Sequence, residues 1–186
     1  MSFQLVVVGT SLGGLAALKI ILEKLPTDFS VPIAIVQHRH KESNNGLQQL
    51  LQESVSLPIR EVEDKDEILP RHVYLAPADY HLLVEPGYFA LSIDEPVSYA
   101  RPSIDVLFES AADIYGEQVI GIILTGANHD GMQGLKKIKA RGGTTIVQKP
   151  ATAESCIMPE AAISAVAVDW ILTLSDIADQ MVKLCY

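Results

Sequence analysis

A serine between closely spaced glycines near the start of the chain is the first residue whose setting could support chemistry. The segment Gly9-Thr10-Ser11-Leu12-Gly13 fits the pattern G-x-S-x-G, in which a sharp turn after a strand exposes a serine hydroxyl. A continuous apolar run over residues 5–8 predicts a buried strand before the turn, and apolar residues at helical spacing predict a helix after it, to Leu25. The pattern predicts either a nucleophile or a serine that caps this helix, and both interpretations stay open at this point.

Two nucleotide-binding motifs also combine a strand, a glycine-rich turn and a helix. A phosphate-binding loop ends in Gly-Lys followed by Ser or Thr, whereas Leu15 follows the glycines here. A dinucleotide-binding turn needs glycine at the position that Ser11 occupies, because the backbone there must approach a pyrophosphate. The sequence therefore disfavours a nucleotide site at this turn.

A histidine and an aspartate follow two other predicted buried strands. The strand predicted over residues 32–36 leads to His38, and the strand predicted over residues 119–124 leads to a polar turn that contains Asp130. Each residue has a structural alternative: His38 as a surface histidine bonded to a loop, and Asp130 as the N-cap of the helix that follows it. His40 is a weaker candidate base, because it lies farther from the strand end.

The three side chains could form one site, because the carboxyl ends of parallel strands meet at one edge of a sheet. A serine hydroxyl becomes a good nucleophile only when a base takes its proton, and a carboxylate must orient that base. Ser11, His38 and Asp130 supply one group of each kind, which predicts a serine hydrolase with a catalytic triad. The order Ser, His, Asp along the chain differs from the order Ser, Asp, His of α/β-hydrolases.

The elements that position these residues alternate between strands and helices. This alternation predicts an α/β fold with a doubly wound, mostly parallel sheet flanked by helices. Strands predicted over residues 81–85 and 88–93 are joined by a Pro-Gly pair, so an antiparallel hairpin interrupts the alternation. A helix is predicted over residues 44–53, and another is expected to begin after Ser103 as its N-cap. His81, at the start of the hairpin, is expected to be structural.

Composition sets the broad class of protein. The chain has 186 residues, which suits a single domain over residues 1–186, and a formal net charge of −9, which disfavours nucleic acid as a partner. No apolar run approaches the roughly 20 residues that span a bilayer, and no signal segment opens the chain, so we expect a cytoplasmic protein without membrane insertion. Cys156 and Cys185 lack metal-ligand spacing, which predicts free thiols and no metal site.

Other motifs are spaced along the chain beside the three candidate residues. In order, the segments are Gly9–Gly14, Val36–His38, Val73–His81, Arg101–Asp105, Leu124–Gly126, Asp130–Gly131 and Met158–Pro159. Together they resemble the catalytic domain of the chemotaxis receptor methylesterases, the CheB-type protein-glutamate methylesterases, over essentially the whole chain. The resemblance implies a doubly wound α/β domain that hydrolyses methyl esters of glutamate side chains on receptors and can deamidate receptor glutamines.

Carried over to the matching positions, the resemblance implies that Ser11 is the nucleophile, His38 the general base and Asp130 its orienting carboxylate. It also implies that the backbone N–H of Ala127 donates to the oxyanion, and the geometry of the first turn leads us to expect the Leu12 N–H as a second donor. Such a hydrolase needs no cofactor. The expected partner is the methylated cytoplasmic domain of a chemoreceptor.

The sequence departs from the family pattern near the expected site. Leu12 stands where the family usually has a small or hydroxylated residue. The pair Arg39-His40 replaces the common Met-Pro and is expected to put charge at the rim of the site. Ala127 and Asn128 replace the usual Met and Gly. Because asparagine tolerates positive φ, the turn is expected to survive this change.

Two further expectations concern regulation and loss of activity. No receiver domain precedes Gln4, so control by phosphorylation is not expected on this chain if 186 residues is the full product. A response regulator on a separate chain is then a further expected partner. The departures also leave an alternative function open, a catalytically weakened domain of the same fold that binds receptors as a signalling module.

Overall fold

The computed structural model describes residues 2–39 and 46–186. The strands are β1 (Leu5–Thr10), β2 (Ile33–Gln37), β3 (Ile59–Glu61), β4 (Val73–Leu75), β5 (His81–Glu85), β6 (Tyr88–Ser92), β7 (Val119–Ile123), β8 (Thr144–Gln148) and β9 (Trp170–Leu172). The α-helices are α1 (Gly14–Lys24), α2 (Gly46–Gln52), α3 (Ile104–Tyr115), α4 (Met132–Ala140), α5 (Ile157–Ala165) and α6 (Leu174–Cys185). Strands and helices alternate along most of this order, as an α/β fold requires.

A parallel sheet forms the centre of the fold. Within the described residues it has seven strands in the order β3-β4-β2-β1-β7-β8-β9, and every neighbouring pair is parallel. β5 and β6 form a separate antiparallel hairpin, in which His81 pairs with Ser92. The predicted doubly wound, mostly parallel sheet with an antiparallel excursion is therefore confirmed.

The strand order reverses next to β1, which places the end of β1 between the ends of β2 and β7. Gly9 pairs with Val36 of β2 on one side and with Ile123 of β7 on the other. In open parallel sheets such a switch point leaves a crevice beyond the carboxyl ends of the strands, because the connections leave in opposite directions. The segments that follow β1, β2 and β7 therefore border one crevice.

Helices cover both faces of this sheet, and β1 contributes alternate residues to both. Val6 and Val8 pack in the core formed with α1 and α6, whereas Leu5 and Val7 pack in the core formed with α3, α4 and α5. All four side chains are buried, which accounts for an apolar run without polar alternation. None of the helices in the described part of the chain has the length and apolar character that crossing a membrane requires.

Some predicted elements differ from the structure at their ends. The first strand continues past the predicted residues to Thr10, because its pairing with β2 extends that far. The helix predicted over residues 44–53 is observed as Gly46–Gln52. Residues 44 and 45, like His40, lie outside the described residues.

The start of α3 is buried against α4. Ser103 accepts a hydrogen bond at 3.5 Å from Val106 N–H, which confirms its predicted role as the N-cap. Asp105 is 5% exposed, and its Oδ1 accepts a hydrogen bond at 2.7 Å from Gly134 N–H in α4. Burial and, to a smaller extent, the charge of Asp130 raise the pKa of Asp105 to about 6, against the hydrogen bond from Gly134 that lowers it.

Because Asp105 holds its proton more strongly in the folded protein than in the unfolded chain, its contribution to stability depends on pH. That contribution is present below the ordinary value of 3.8 and is lost as the pH rises through about 6. Asp105→Asn keeps an oxygen for Gly134 but cannot ionise. Between pH 4 and pH 8 the wild type should therefore lose more unfolding free energy than the variant, by up to about 3 kcal/mol. Urea unfolding at both pH values measures the difference, and parallel pH dependence of the two proteins would contradict it.

Candidate active site

Ser11 lies in the sharp turn between β1 and α1. Its backbone N–H donates to Thr125 O at 3.0 Å, while its hydroxyl makes no hydrogen bond with a residue that the structure describes. The N-cap of α1 is Gly13, which has a φ of 79° and provides no side-chain cap. Glycine adopts this left-handed conformation at low cost. The interpretation of Ser11 as the helix cap is therefore wrong, and its hydroxyl is available for other contacts.

The turn after β7 packs directly on the turn that carries Ser11. Thr125 Oγ1 donates to Leu12 O at 2.8 Å. A Cβ added at Gly126 would lie 3.0 Å from Ser11 Cβ and closer still to a methionine sulfur, so only glycine permits this approach. The backbone N–H groups of Leu12 and Ala127 donate to no other residue in the described ranges, so both remain available to a ligand.

His38 follows β2 and is tied to the Ser11 turn through the backbone. Its N–H donates to Thr10 O at 3.0 Å. The side-chain amide of Gln37 donates to both Ser11 O and His38 O, each at 2.9 Å. These bonds hold the ends of β1 and β2 in register, so the backbones of the two candidate residues keep a defined separation.

The imidazole of His38 contacts the carboxylate of Asp130. His38 Nε2 and Asp130 Oδ2 are 2.7 Å apart, and the two side chains are 13% and 0% exposed. Burial opposes ionisation of Asp130, but hydrogen bonds from His38 and from the backbone N–H groups of Asp105 and Ile104 outweigh it and lower the pKa of the carboxyl. The aspartate is therefore anionic, the form that orients an imidazole and stabilises an imidazolium.

Asp130 also caps a helix, although not the one expected. Its carboxylate accepts hydrogen bonds from Ser103 Oγ at 2.9 Å and from the backbone N–H groups of Ile104 and Asp105 at 2.6 and 3.0 Å. These groups belong to the start of α3. The N-cap of α4 is Gly131, which provides no side-chain cap. The expectation that Asp130 caps the helix following it is therefore wrong, because its carboxylate bonds to the start of α3 instead.

Asn128 is a polar neighbour of His38 that was not anticipated from the sequence. Its Oδ1 accepts a hydrogen bond from Asp130 N–H at 3.0 Å, and its Nδ2 lies 2.8 Å from His38 Nδ1. Asn128 does not have positive φ, so the predicted reason for its tolerance in the turn is wrong. The side-chain oxygen holds the turn instead, by bonding to the backbone two residues on. An asparagine two residues before the aspartate is the sequence signal that could have indicated this contact.

Ser11, His38 and Asn128 line one cavity of about 610 Å³. The rest of its wall is formed by Arg39, Asp79, Pro96, Ser98, Tyr99, Ala100, Arg101 and Pro102. No hydrogen bond joins the Ser11 hydroxyl to the imidazole among the described contacts, but both groups border the same space. A side chain entering this cavity would meet both of them.

The positive charges in the cavity wall are paired. The Arg39 side chain is 8% exposed, and its Nη2 donates to Glu61 Oε2 at 2.5 Å and to Ala76 O at 2.9 Å. Arg101 Nη2 donates to Asp79 Oδ1 at 2.7 Å. Arg39 was expected to put charge at the rim of the site, and it does line the cavity, but Glu61 pairs with its largely buried guanidinium.

Comparison with known proteins identifies the family of this chain. A family model described as CheB methylesterase matches residues 6–181. The chain belongs to this family. A Leptospira interrogans relative, provisionally assigned as a protein-glutamate methylesterase/protein-glutamine glutaminase, is 49% identical over 185 residues, which are 99% of this chain and 96% of the relative. The resemblance drawn from the motifs is thereby confirmed.

Other members of the CheB methylesterase family are longer. A protein-glutamate methylesterase/protein-glutamine glutaminase of Carboxydothermus hydrogenoformans is 41% identical over 184 residues, which are 96% of this chain and 54% of the relative. This chain therefore spans about half of that protein. The crystal structure of the Thermotoga maritima CheB methylesterase catalytic domain superposes with a TM-score of 0.95 at 34% identity, covering 99% of this chain and 100% of that one.

Side chains outside the cavity follow the predicted structural roles. His81 Nδ1 accepts a hydrogen bond from Ser103 N–H at 3.2 Å, and its Nε2 donates to Glu95 O at 3.1 Å. Both ring nitrogens are used within the fold, so the structural interpretation of His81 is confirmed. Cys156 and Cys185 are free thiols, as expected.

Asp130→Ala should destabilise this CheB-type domain much more than Ser11→Ala does. The aspartate variant leaves the N–H groups of Ile104 and Asp105 without their acceptor. Each unsatisfied buried group costs about 1 to 3 kcal/mol, so we expect a loss of about 2 to 6 kcal/mol. The Ser11 hydroxyl has no hydrogen-bond partner among the described residues, so its removal should change stability by less than about 0.5 kcal/mol. Equilibrium urea unfolding measures both, and equal losses would show that Asp130 does not hold the start of α3.

Proposed function

We propose that this chain is a cytoplasmic serine hydrolase, a single catalytic domain over residues 1–186 that demethylates glutamate methyl esters and deamidates glutamines on chemotaxis receptors. The 2.7 Å contact between His38 Nε2 and Asp130 Oδ2, beside the cavity that Ser11 lines, carries the proposal. An imidazole held by a buried carboxylate is the usual activator of a serine nucleophile. The names of the CheB methylesterase relatives supply the substrate class.

The proposed reaction begins with transfer of the Ser11 proton to His38. Because Asp130 engages Nε2, Nδ1 is the nitrogen that accepts this proton while Ser11 Oγ attacks the ester carbonyl. The imidazolium then gives the proton to the leaving methoxy oxygen, which departs as methanol, or to the leaving amide nitrogen of a glutamine, which departs as ammonia. Water, deprotonated by the same nitrogen, hydrolyses the acyl-enzyme, and the proton returns to Ser11 Oγ as the glutamate carboxyl group is released.

The tetrahedral intermediate carries a negative oxygen that needs donors already in place. We assign this role to the backbone N–H groups of Leu12 and Ala127. The support is that neither group donates to another residue within the described ranges, and that the two turns that carry them pack on each other through Gly126. Backbone donors fixed by strand ends need little rearrangement as the charge develops.

The proposed macromolecular partner is the methylated cytoplasmic domain of a chemoreceptor, with a response regulator on a separate chain as a second partner. The mouth of the cavity offers a suitable contact for a polypeptide. Tyr99 is fully exposed there, at 105% of its reference area, on a turn in which Ser98 and Tyr99 have φ values of 50° and 62°. An aromatic side chain presented by a turn of defined conformation is a common anchor in protein recognition.

Ser11→Ala should abolish methanol release from methylated receptor fragments, because no other group replaces the nucleophile. The expected loss in kcat is about 10³- to 10⁶-fold. Ser175→Ala removes an exposed hydroxyl in α6 and is the matched control that should retain activity. Retained turnover in Ser11→Ala would rule out the mechanism. A wild type that binds receptor fragments without turnover would instead support the signalling-module alternative.

Ala127→Pro tests the proposed oxyanion donor, because proline has no backbone N–H. Loss of one donor should lower kcat by about 10²- to 10³-fold while KM changes little. Ala127→Ser keeps the N–H and should retain the wild-type kcat. Thermal melting shows whether the proline variant is folded, and a folded variant with full kcat would exclude Ala127 as a donor.

A further inference from the structure

The hydrogen bonds of Asn128 determine where the protons of His38 lie. Asp130 N–H needs an oxygen acceptor and finds Asn128 Oδ1 at 3.0 Å, so the nitrogen of the amide faces His38. An NH₂ group can only donate; His38 Nδ1, 2.8 Å away, must therefore accept and carries no proton. The ring proton lies on Nε2, which donates to Asp130 Oδ2 at 2.7 Å.

This arrangement occupies the lone pair that the proposed reaction needs. Nδ1 is the ring nitrogen left to act as a base, and the Asn128 amide already donates to it. Once Nδ1 accepts the Ser11 proton, its N–H would face the Asn128 NH₂ group, with two donors and no acceptor between them. The Asn128 amide must therefore move away from His38 Nδ1 in every catalytic cycle. Asn128 lines the cavity, which leaves space for this movement.

We propose that Asn128 is a positioning residue that holds the general base in its resting state, donating to His38 Nδ1 until Ser11 is deprotonated. The inference rests on the proposed function, because it requires His38 to be the base. Releasing the base breaks at least the hydrogen bond to His38 Nδ1, because the same amide also holds Asp130 N–H through Oδ1. At about 1 kcal/mol for a typical hydrogen bond, this release slows the acylation of Ser11 by about fivefold or more.

Two variants of Asn128 change its contact with His38 Nδ1 in different ways, one by removing the donor and one by replacing the donor with an acceptor. Asn128→Ser keeps a side-chain oxygen that can bond to Asp130 N–H, but it is too short to donate to His38 Nδ1. Asn128→Asp keeps the shape of the side chain but presents a carboxylate, which draws a proton onto Nδ1. With p-nitrophenyl acetate as the acylating ester, we expect the serine variant to react about fivefold faster than the wild type, and the aspartate variant at least about tenfold slower.

Nitrogen-15 NMR of the histidine side chains observes the same contact without turnover. The wild type should show Nε2 protonated and Nδ1 as a hydrogen-bonded acceptor, whereas Asn128→Ser should move the Nδ1 signal toward that of a free lone pair. Asn128→Asp should show Nδ1 protonated. His129→Ser changes the exposed neighbouring side chain and is the control that should leave the spectrum of His38 and the acylation rate unchanged.

The outcomes separate this inference from the proposed function. A wild-type His38 protonated on Nδ1, or an Asn128→Ser variant acylated no faster than the wild type, would overturn the role of Asn128. Failure of the proposed function would appear differently, as methanol release and acylation that survive Ser11→Ala. Because Ser11→Ala leaves the contacts of His38 intact, its spectrum should still report Asn128 as a donor to Nδ1.

Discussion

The buried carboxylate of Asp130 is the interaction on which the candidate site depends. It accepts hydrogen bonds from the first N–H groups of α3 and contacts His38 Nε2, so one negative charge both begins a helix and orients an imidazole. An isolated buried charge would be costly, but the partial positive charge of the helix N-terminus and the ring proton compensate this one. The stability of α3 and the orientation of His38 are therefore coupled through a single side chain.

The order of the strands brings the other groups to this carboxylate. β2, β1 and β7 are neighbours in the sheet, so the segments after them emerge side by side even though they are far apart in the chain. Local contacts then set the finer geometry. The Gln37 amide links the backbones of Ser11 and His38, and Gly126 allows the turn after β7 to approach Ser11 closely. A rigid sheet edge and close-packed turns are what a preorganised hydrolytic site requires.

The departures from the family pattern have effects that depend on their surroundings. Arg39 brings a charge next to the base, but Glu61 pairs with it and the guanidinium is largely buried. Asn128 stands where the resemblance led us to expect glycine, and its side chain makes two contacts that glycine could not make, one to the turn and one to His38. The first change is compensated within the fold, whereas the second reaches the nitrogen that would take part in catalysis.

The sequence by itself determined the strands, most helices, the hairpin and the residues at the ends of β1, β2 and β7, because apolar periodicity and turn residues are local signals. Only the tertiary structure decided which side chains meet. Asp130 caps α3 rather than the next helix, Asn128 reaches His38, and Arg39 pairs with Glu61. These partners are distant in the chain, and their contacts depend on how helices and turns pack to within a few tenths of an ångström, which no local pattern encodes.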